Sequence, residues 1–431
     1  MRTIFHIDVN SAYLSWEAVR RRRDAEMHGG ASPYAAEPDL RDIPSIIGGD
    51  PNRRTSIVLA KSVPAKKYGI VTGEPVSAAI RKCPGLVIAP SDFALYSEMS
   101  HAFKAILREY TPVVESFSID ECFLDMTGMG RMYPDPVKAA HEIKDRIKGE
   151  LGFTVNVGIS SNKLLAKMAS DFEKPDKVHT LFPEEIEGKM WPLPVGELFL
   201  CGKASAEKLT RLHIDTIGDL ANSDLVSVQA ILGNKMGAQL WHYANGIDDA
   251  PVTAEAEAPK GYSNEITFDD NITTWEQGEK VLLHLADNVS ARIRRDGVKA
   301  SCIAITIRGN DMKKHSHQRM LDIPTDSTSK TYETARELFR QLWDGHTGLR
   351  LIGLGMTQLD RDGQQQMSLF DLLDSDANGG QANGDRTRSG QSKDERDHKA
   401  DAAVDALREK FGADIIKRGG MLNSDIKVRK R

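Results

Sequence analysis

The sequence predicts an α+β protein of several domains, and three observations carry that expectation. The chain has 431 residues, too many for one core, so two to four domains are expected. The stretch from Met1 to Ser170 orders strand, helix, hairpin, helix and strand, which is the order of a ferredoxin-like sheet. A mostly helical stretch, 195–246, and a second mixed stretch, 259–360, follow it.

Each element follows from local pattern. Residues 3–9 read as a buried strand, and a helical stretch then runs to about Arg23. Residues 24–45, rich in Gly, Pro and Asp, predict a loop. A strand is expected over 56–61, with helices or turns beginning at 63–69 and 73–83. Residues 97–110 form an amphipathic helical pattern. Residues 113–117 and 122–126 are short strands close enough to make a hairpin. Pro136 opens a helix over 136–151. A strand over 154–159 leads through Ser160 and Ser161, residues of capping type, into a helix over 162–172. Four short helices are expected at 205–212, 216–221, 225–232 and 237–244. Residues 247–258 read as an acidic linker, and 300–307 as a β-rich run. Residues 374–400, rich in Asp, Gly, Ser and Gln, predict a disordered linker. The spacing of Val404, Leu407, Phe411 and Ile415 predicts a short docking helix in the 401–431 tail.

Composition narrows the class. Hydrophobic residues at 40% and charged residues at 28% describe a soluble globular protein. No apolar stretch approaches the ~20 residues of a membrane span. The N-terminal residues lack a signal peptide's apolar core, so a cytoplasmic protein is expected. Cys83, Cys122, Cys201 and Cys302 have no paired spacing and read as buried thiols in a reducing compartment. The net charge of −5 argues weakly against nucleic acid, but a net value hides segregation. Residues 292–319 hold Arg292, Arg294, Arg295, Lys299, Arg308, Lys313, Lys314 and Arg319 against Asp296 and Asp311. Taken alone, that run reads as a solvated face.

The chemistry centres on three acids. Asp8 ends the first strand pattern, and Asp120 and Glu121 sit at or beside the hairpin tip. Carboxylates there are poor strand formers and costly to bury unpaired. In the ferredoxin-like order the first strand and the hairpin can be neighbours, which would join all three. With the Val9 carbonyl they make an oxygen-only set that favours Mg²⁺ or Mn²⁺, and two such ions suit phosphoryl or nucleotidyl transfer. The alternative, three acids bonding local backbone, stays open on spacing alone. Lys163 and Lys167 at a helix start could meet a triphosphate, or simply face solvent; Lys66 and Lys67 have the same two readings. Gly202 and Lys203 lie in a turn that could offer amides to a DNA phosphate or serve as a helix cap. Gln366-Met367-Ser368-Leu369-Phe370 is a docking-peptide pattern or the last contact of the preceding domain.

Together these pieces resemble the Y-family translesion DNA polymerases, most closely their bacterial DNA polymerase IV branch. The words that carry the resemblance are His6-Ile7-Asp8-Val9-Asn10, Ser118-Ile119-Asp120-Glu121, the run from Val157 to Ser170, and Lys260-Gly261-Tyr262-Ser263-Asn264-Glu265. It implies a ferredoxin-like palm (1–10 and 92–170), small fingers (11–91), a helical thumb (171–246) and an α+β little finger (259–361). It also implies a clamp-binding peptide (364–371). Asp8, Asp120 and Glu121 would be the metal-binding catalytic carboxylates for two Mg²⁺ ions, with Mn²⁺ as a substitute. Tyr13 would be the steric gate against ribonucleotides, and Lys66 and Lys163 would contact the triphosphate. Gly202, Lys203, Arg292, Arg294, Arg295, Arg308, Lys313, Lys314 and Arg319 would touch DNA, and Gln366, Leu369 and Phe370 the sliding clamp. The implied partners are primer-template DNA, deoxynucleoside triphosphates and the clamp, met by a monomer.

The chain departs from the family at several places. Asn10 stands where the family often has Asp, and Ala12 where it has an aromatic. Val63 and Lys66 stand where it usually has Tyr and Arg, which predicts weaker nucleotide binding. Leu200-Cys201-Gly202 replaces a Gly-x-Gly turn, at a cost in backbone freedom. The leading expectation is a template-directed DNA polymerase. A catalytically weak or inactive DNA-binding accessory protein of the same fold is the alternative, and a nucleotidyl cyclase is disfavoured by the downstream regions.

Overall fold

The computed structural model describes residues 2–255, 257–361, 385–412, 415, 416 and 418, with 385–395 described for the backbone only. The chain forms two compact units, Met1–Glu257 and Ala258–Arg431.

In the first unit, strand β1 (Ile4–Val9) runs into helix α1 (Ala12–His28). Strands β2 (Ser45–Gly48) and β3 (Val58–Lys61) follow, then the short helices α2 (Val63–Lys66) and α3 (Val76–Lys82) and strand β4 (Val87–Ala89). Helix α4 (Phe93–Arg108) leads to the hairpin β5 (Val114–Ser116) and β6 (Glu121–Asp125). Helix α5 (Pro136–Leu151), β7 (Val155–Ser160), α6 (Lys163–Asp171) and β8 (Val178–Thr180) complete the sheet region. Five short helices end the unit: α7 (Ile186–Lys189), α8 (Lys203–Thr210), α9 (Ile217–Ala221), α10 (Leu225–Leu232) and α11 (Asn234–Ala244).

The main sheet has the order β5-β6-β1-β7-β8, and β2, β3 and β4 make a separate small sheet of order β3-β2-β4. Strand β1 is antiparallel to both β6 and β7. The order β7-β1-β6-β5 is that of the ferredoxin-like fold, as predicted. Alternation along β1 sorts its side chains between two layers. Phe5, Ile7 and Val9 enter the core built with Leu14, Trp16, Phe103 and Phe153. Ile4 joins Phe123 and Ala166 on the other face, where His6 meets Ser170 of α6. Fully burying such side chains contributes roughly 1.5–3 kcal/mol each. Helix α6 lies close against this face because Gly158 on β7 has no side chain: a Cβ there would stand 2.0 Å from the Ala166 carbonyl oxygen and 2.5 Å from the Ser170 nitrogen.

The stretch read as a linker is bound down over its first half. Asp248 accepts from the Leu164 amide (3.1 Å), Thr253 donates from its amide to Glu115 (2.9 Å), and Val252 is buried against Ile4 and Phe123.

The second unit contains β9 (Gly261–Ile272), α12 (Trp275–Arg295), β10 (Lys299–Gly309), β11 (Lys314–Thr325), α13 (Thr328–Leu342) and β12 (Leu349–Asp360). Its antiparallel sheet has the order β11-β10-β12-β9, and α12 and α13 cover one face through Val281, Leu285, Val289, Leu338 and Phe339. A last helix, α14, spans Asp385–Phe411. It corrects the reading of 374–400 as a disordered linker: residues 374–384 lie outside the described residues, but 385–400 are helical. Leu407, Phe411 and Ile415, three of the residues whose spacing predicts a docking helix, are exposed. Ion pairs from Asp401, Asp405 and Arg408 hold the helix to the rest of the unit.

Candidate active site

The antiparallel register places Asp8 directly opposite Glu121 on the two central strands. Asp120 precedes Glu121, and its carbonyl accepts from the Val9 amide at 3.1 Å. The hairpin tip is fixed from α4: Ser100 donates its hydroxyl to the Ile119 carbonyl, and Lys104 donates to the Ser118 carbonyl (2.7 Å). Acids far apart along the chain thus close into neighbouring positions, as the strand order predicted.

Cations already face these acids. Lys174 pairs with Asp8, and Lys167 lies 3.1 Å from Glu121 and 3.9 Å from Asp8. His6, wholly buried, bridges Ser170 (2.8 Å) and Glu121 (3.2 Å). Because the carboxylate needs a donor, His6 Nε2 donates to Glu121, while Nδ1 meets the Ser170 hydroxyl, which also donates to the Lys167 carbonyl at 2.8 Å. Burial pushes the His6 pKa down to about 4 against the pull of Glu121, so the ring is neutral at pH 7. Burial works against the Glu121 charge, but the His6 hydrogen bond and the Lys167 ammonium outweigh it and hold the carboxyl at about 2. Burial raises the Asp8 carboxyl above its usual range despite Lys174 and Lys167. Asp120 accepts from the Ser118 hydroxyl at 2.6 Å.

Among the described residues no three His, Cys, Asp or Glu side chains converge closely enough to cage an ion. The donor set nonetheless fits a hard divalent cation. It is oxygen only, and two ammonium groups stand where positive charge is needed to hold Asp8 and Glu121 together.

Tyr13, in the first turn of α1, stacks on the buried Tyr96 (4.3 Å between centroids, 12° between planes) and meets Phe93 edge-on at 6.3 Å. Burial and the Asp120 charge both raise its pKa, so the ring stands near the acids. Asn10 is explained by its contacts. Its Nδ2 donates to Asn156 (3.1 Å), and its Oδ1 accepts from Thr154 and from the Asp176 amide (3.0 Å each). An aspartate would lose the donor.

Lys163 goes elsewhere: its ammonium lies 2.6 and 2.8 Å from the Glu115 oxygens, over the Phe123 ring. The head of α6 is also taken, since Asp248 and Asn162 cap the Leu164 and Leu165 amides. The Lys163 ammonium and those two amides are thus engaged within the chain. Lys167 and Lys174 are the lysines brought to the carboxylates, and sequence reasoning missed Lys174 and His6. The signal for Lys167 and His6 was period: Lys167 is one turn beyond Lys163, and His6 is two positions before Asp8. Lys174 had no such signal, because it lies far along the chain from its partner.

Val63 and Lys66 on α2 are exposed. Ser62 caps that helix through the Ala65 amide. Gly202 is the N-cap of α8, and the Lys203 side chain is exposed beside Glu207.

The basic run in the second unit does not make one surface. Arg308 and Lys314 are paired across β10 and β11, and Lys314 also reaches Glu265 on β9 (3.4 Å). Arg319 is turned to Glu337 on α13 (2.5 Å). Arg292 donates to the Ser263 carbonyl, Arg295 pairs with Asp296 in solvent, and Lys313 sits in the β10–β11 turn beside Asp311. Arg294 is buried under α14, which removes it from any free surface. Strand alternation and the helical period scatter residues that the linear run places together. Gln366, Leu369 and Phe370 lie outside the described residues.

Asp8 and Glu121 thus stand in register on the central strands of a ferredoxin-like sheet, with Asp120 beside them and Tyr13 at the adjoining helix. Known proteins are similar to this chain in sequence and fold. Residues 7–171 match the impB/mucB/samB family, 259–369 the C-terminal domain of that family, and 201–248 the thumb domain of DNA polymerase-iota. The chain is 41% identical over 426 residues to a DNA polymerase IV of Clostridium acetobutylicum, covering 99% of this chain and 100% of that one. It is 35% identical to DNA polymerase IV of Acetivibrio thermocellus, covering 98% of each, and 36% identical to DNA polymerase IV 2 of Bacillus subtilis, covering 86% and 87%. A solved Y-family DNA polymerase chimera superposes with a TM-score of 0.69 at 22% identity, over 83% of this chain and 99% of that one, which supports the fold. The chain belongs to the Y-family DNA polymerases, in their DNA polymerase IV branch. No helix among the described residues is long and apolar enough to cross a membrane.

Proposed function

We propose that this protein is a template-directed DNA polymerase that inserts deoxynucleotides opposite damaged bases by two-metal nucleotidyl transfer. The observation that carries the reading is the in-register pair Asp8 and Glu121, with Asp120 adjacent. Asp8, Asp120, Glu121 and the Val9 carbonyl would hold two Mg²⁺ ions, or Mn²⁺ in their place. When bound, such a pair activates the primer 3′-hydroxyl and neutralises the leaving pyrophosphate oxygen. Asp120, which accepts from Ser118, would join the set by turning from that hydroxyl. Lys174 and Lys167, which pair with Asp8 and Glu121, would be available to the triphosphate once ions hold those acids, and neutral His6 would keep Glu121 oriented. Tyr13, backed by Tyr96, fills the space a ribose 2′-hydroxyl would need.

Low fidelity is part of this proposal and rests on the family match. Gly202, Lys203, Arg308 and Lys314 are the groups best placed to meet DNA phosphates. The peptide Gln366 to Phe370 recruits the monomer to the sliding clamp. Primer extension with Mg²⁺ tests the reading: wild type extends a primer, and Asp120→Ala binds DNA without extending it. Absence of extension by folded, DNA-bound wild type would refute it. Removing 366–370 should abolish stimulation by the clamp and leave basal extension; an unchanged response refutes the recruitment role.

A further inference from the structure

Helix α14 packs on the helical face of the second unit through alternating charges. Asp405 lies 2.7 Å from Arg294 Nε, and Asp401 Oδ2 lies 3.2 Å from Arg294 Nη1. Asp401 Oδ1 pairs with Arg418, which lies 2.7 Å from Asp287 on α12, and Arg408 reaches the same Asp287 at 2.7 Å. The side chains of Arg294 and Asp401 are only 5% and 4% exposed. Arg294 and Asp287 stand two helical turns apart on α12, too far to pair with each other, so that helix face is built to receive outside charges.

The seat of Asp401 has the form of an oxyanion site. The Thr328 amide, at the head of the 15-residue helix α13, donates to Asp401 Oδ2 at 2.9 Å. Arg294 Nη1 also donates to the Thr328 hydroxyl (3.1 Å) and the Asp326 carbonyl (2.8 Å). Arg294 Nη2 is buried and has no hydrogen-bond partner among the described residues. Helix N-terminal amides with an arginine fork are the usual recognition elements for phosphate groups. A carboxylate has two oxygens, and both are already engaged here. A tetrahedral oxyanion brings a further oxygen for the unused Nη2.

We propose that this seat is a phosphate-binding site that Asp401 fills in cis, and that the α14 segment is a displaceable plug. The ligand is a phosphate oxyanion, either the free ion or a phosphodiester of DNA. Displacement exchanges the two carboxylates at Arg294, Asp401 and Asp405, for the charge of the phosphate and so does not strand it.

Calorimetric titration of the full chain with inorganic phosphate, and separately with a single-stranded oligonucleotide, tests this. The double variant Asp401→Asn, Asp405→Asn should bind phosphate about tenfold tighter than wild type, a change of one strong hydrogen bond, and adding Arg294→Gln should remove the gain. A gain with phosphate alone identifies the free ion as the ligand; a gain with the oligonucleotide too identifies the phosphodiester. No gain with either overturns the proposal. A second measurement needs no variant: in wild type, amide exchange over 396–411 should be faster in phosphate than in chloride at equal ionic strength. Equal rates would show screening only and overturn it as well.

Discussion

Gly158→Ala tests how the site is positioned. The added Cβ would stand 2.0 Å from the Ala166 carbonyl oxygen, 2.5 Å from the Ser170 nitrogen and 3.0 Å from the Ala169 Cβ. Two of these three neighbours are backbone atoms of α6, so no side-chain rotation relieves the contact. The helix must lift from the sheet, breaking the His6–Ser170 bond and drawing Lys167 from Glu121. Overpacking of a well-packed core costs about 1–3 kcal/mol, and a backbone clash belongs at the upper end. A loss of about 3 kcal/mol should lower the melting temperature of a unit this size by about 6–12 °C. Differential scanning calorimetry reads the shift, and primer extension on the same preparation, well below the transition, should fall with it. A melting temperature within about 1 °C of wild type, a margin set by the same scaling, would show that α6 is not held at Gly158.

Three further outcomes follow from the site and its surroundings. Tyr13→Ala should raise ribonucleotide incorporation about tenfold or more relative to deoxynucleotide; unchanged selectivity in single-nucleotide insertion assays removes Tyr13 from the gate. Lys174→Met should raise the KM for the incoming triphosphate about tenfold, one charge-assisted contact, and Lys163→Met should raise it less; the reverse order would make Lys163 the triphosphate lysine. Burial opposes the Asp176 charge, but hydrogen bonds from Lys148 and Lys144 outweigh it and hold the carboxyl below its usual value of 3.8. The folded pKa is the lower one, so this stabilisation is present above about pH 4 and is lost as pH falls through the folded value. Asp176→Asn should therefore cost about 1 kcal/mol at pH 7, and thermal melts should show the gap to wild type closing below pH 4. A gap as wide at pH 3 as at pH 7 would place the effect in packing and not in charge.

The order of strands and helices from Met1 to Ser170 was legible because burial at period 2 and period 3.6 is a local pattern. That order alone brought Asp8 beside Asp120 and Glu121, since a ferredoxin-like sheet puts its first strand next to the hairpin. Family resemblance in four short words supplied the class of chemistry. The partners of charged side chains were not legible. Lys174 reaches Asp8 from beyond the end of α6, Lys163 turns to Glu115 on β5, and Asp248 folds back to cap a helix far upstream of it. None of these pairings leaves a periodic trace. Arg294 shows the difference most plainly: in the sequence it belongs to a basic run, and in the fold it is buried under Asp401 and Asp405. Hydrophobic periodicity follows from the neighbours of a residue along the chain, so the sequence alone determined which segments form the sheet and where its acids stand. Charge pairing depends on which surfaces meet after the chain has closed, so only the tertiary structure decided which cations face those acids and which helix covers the second unit.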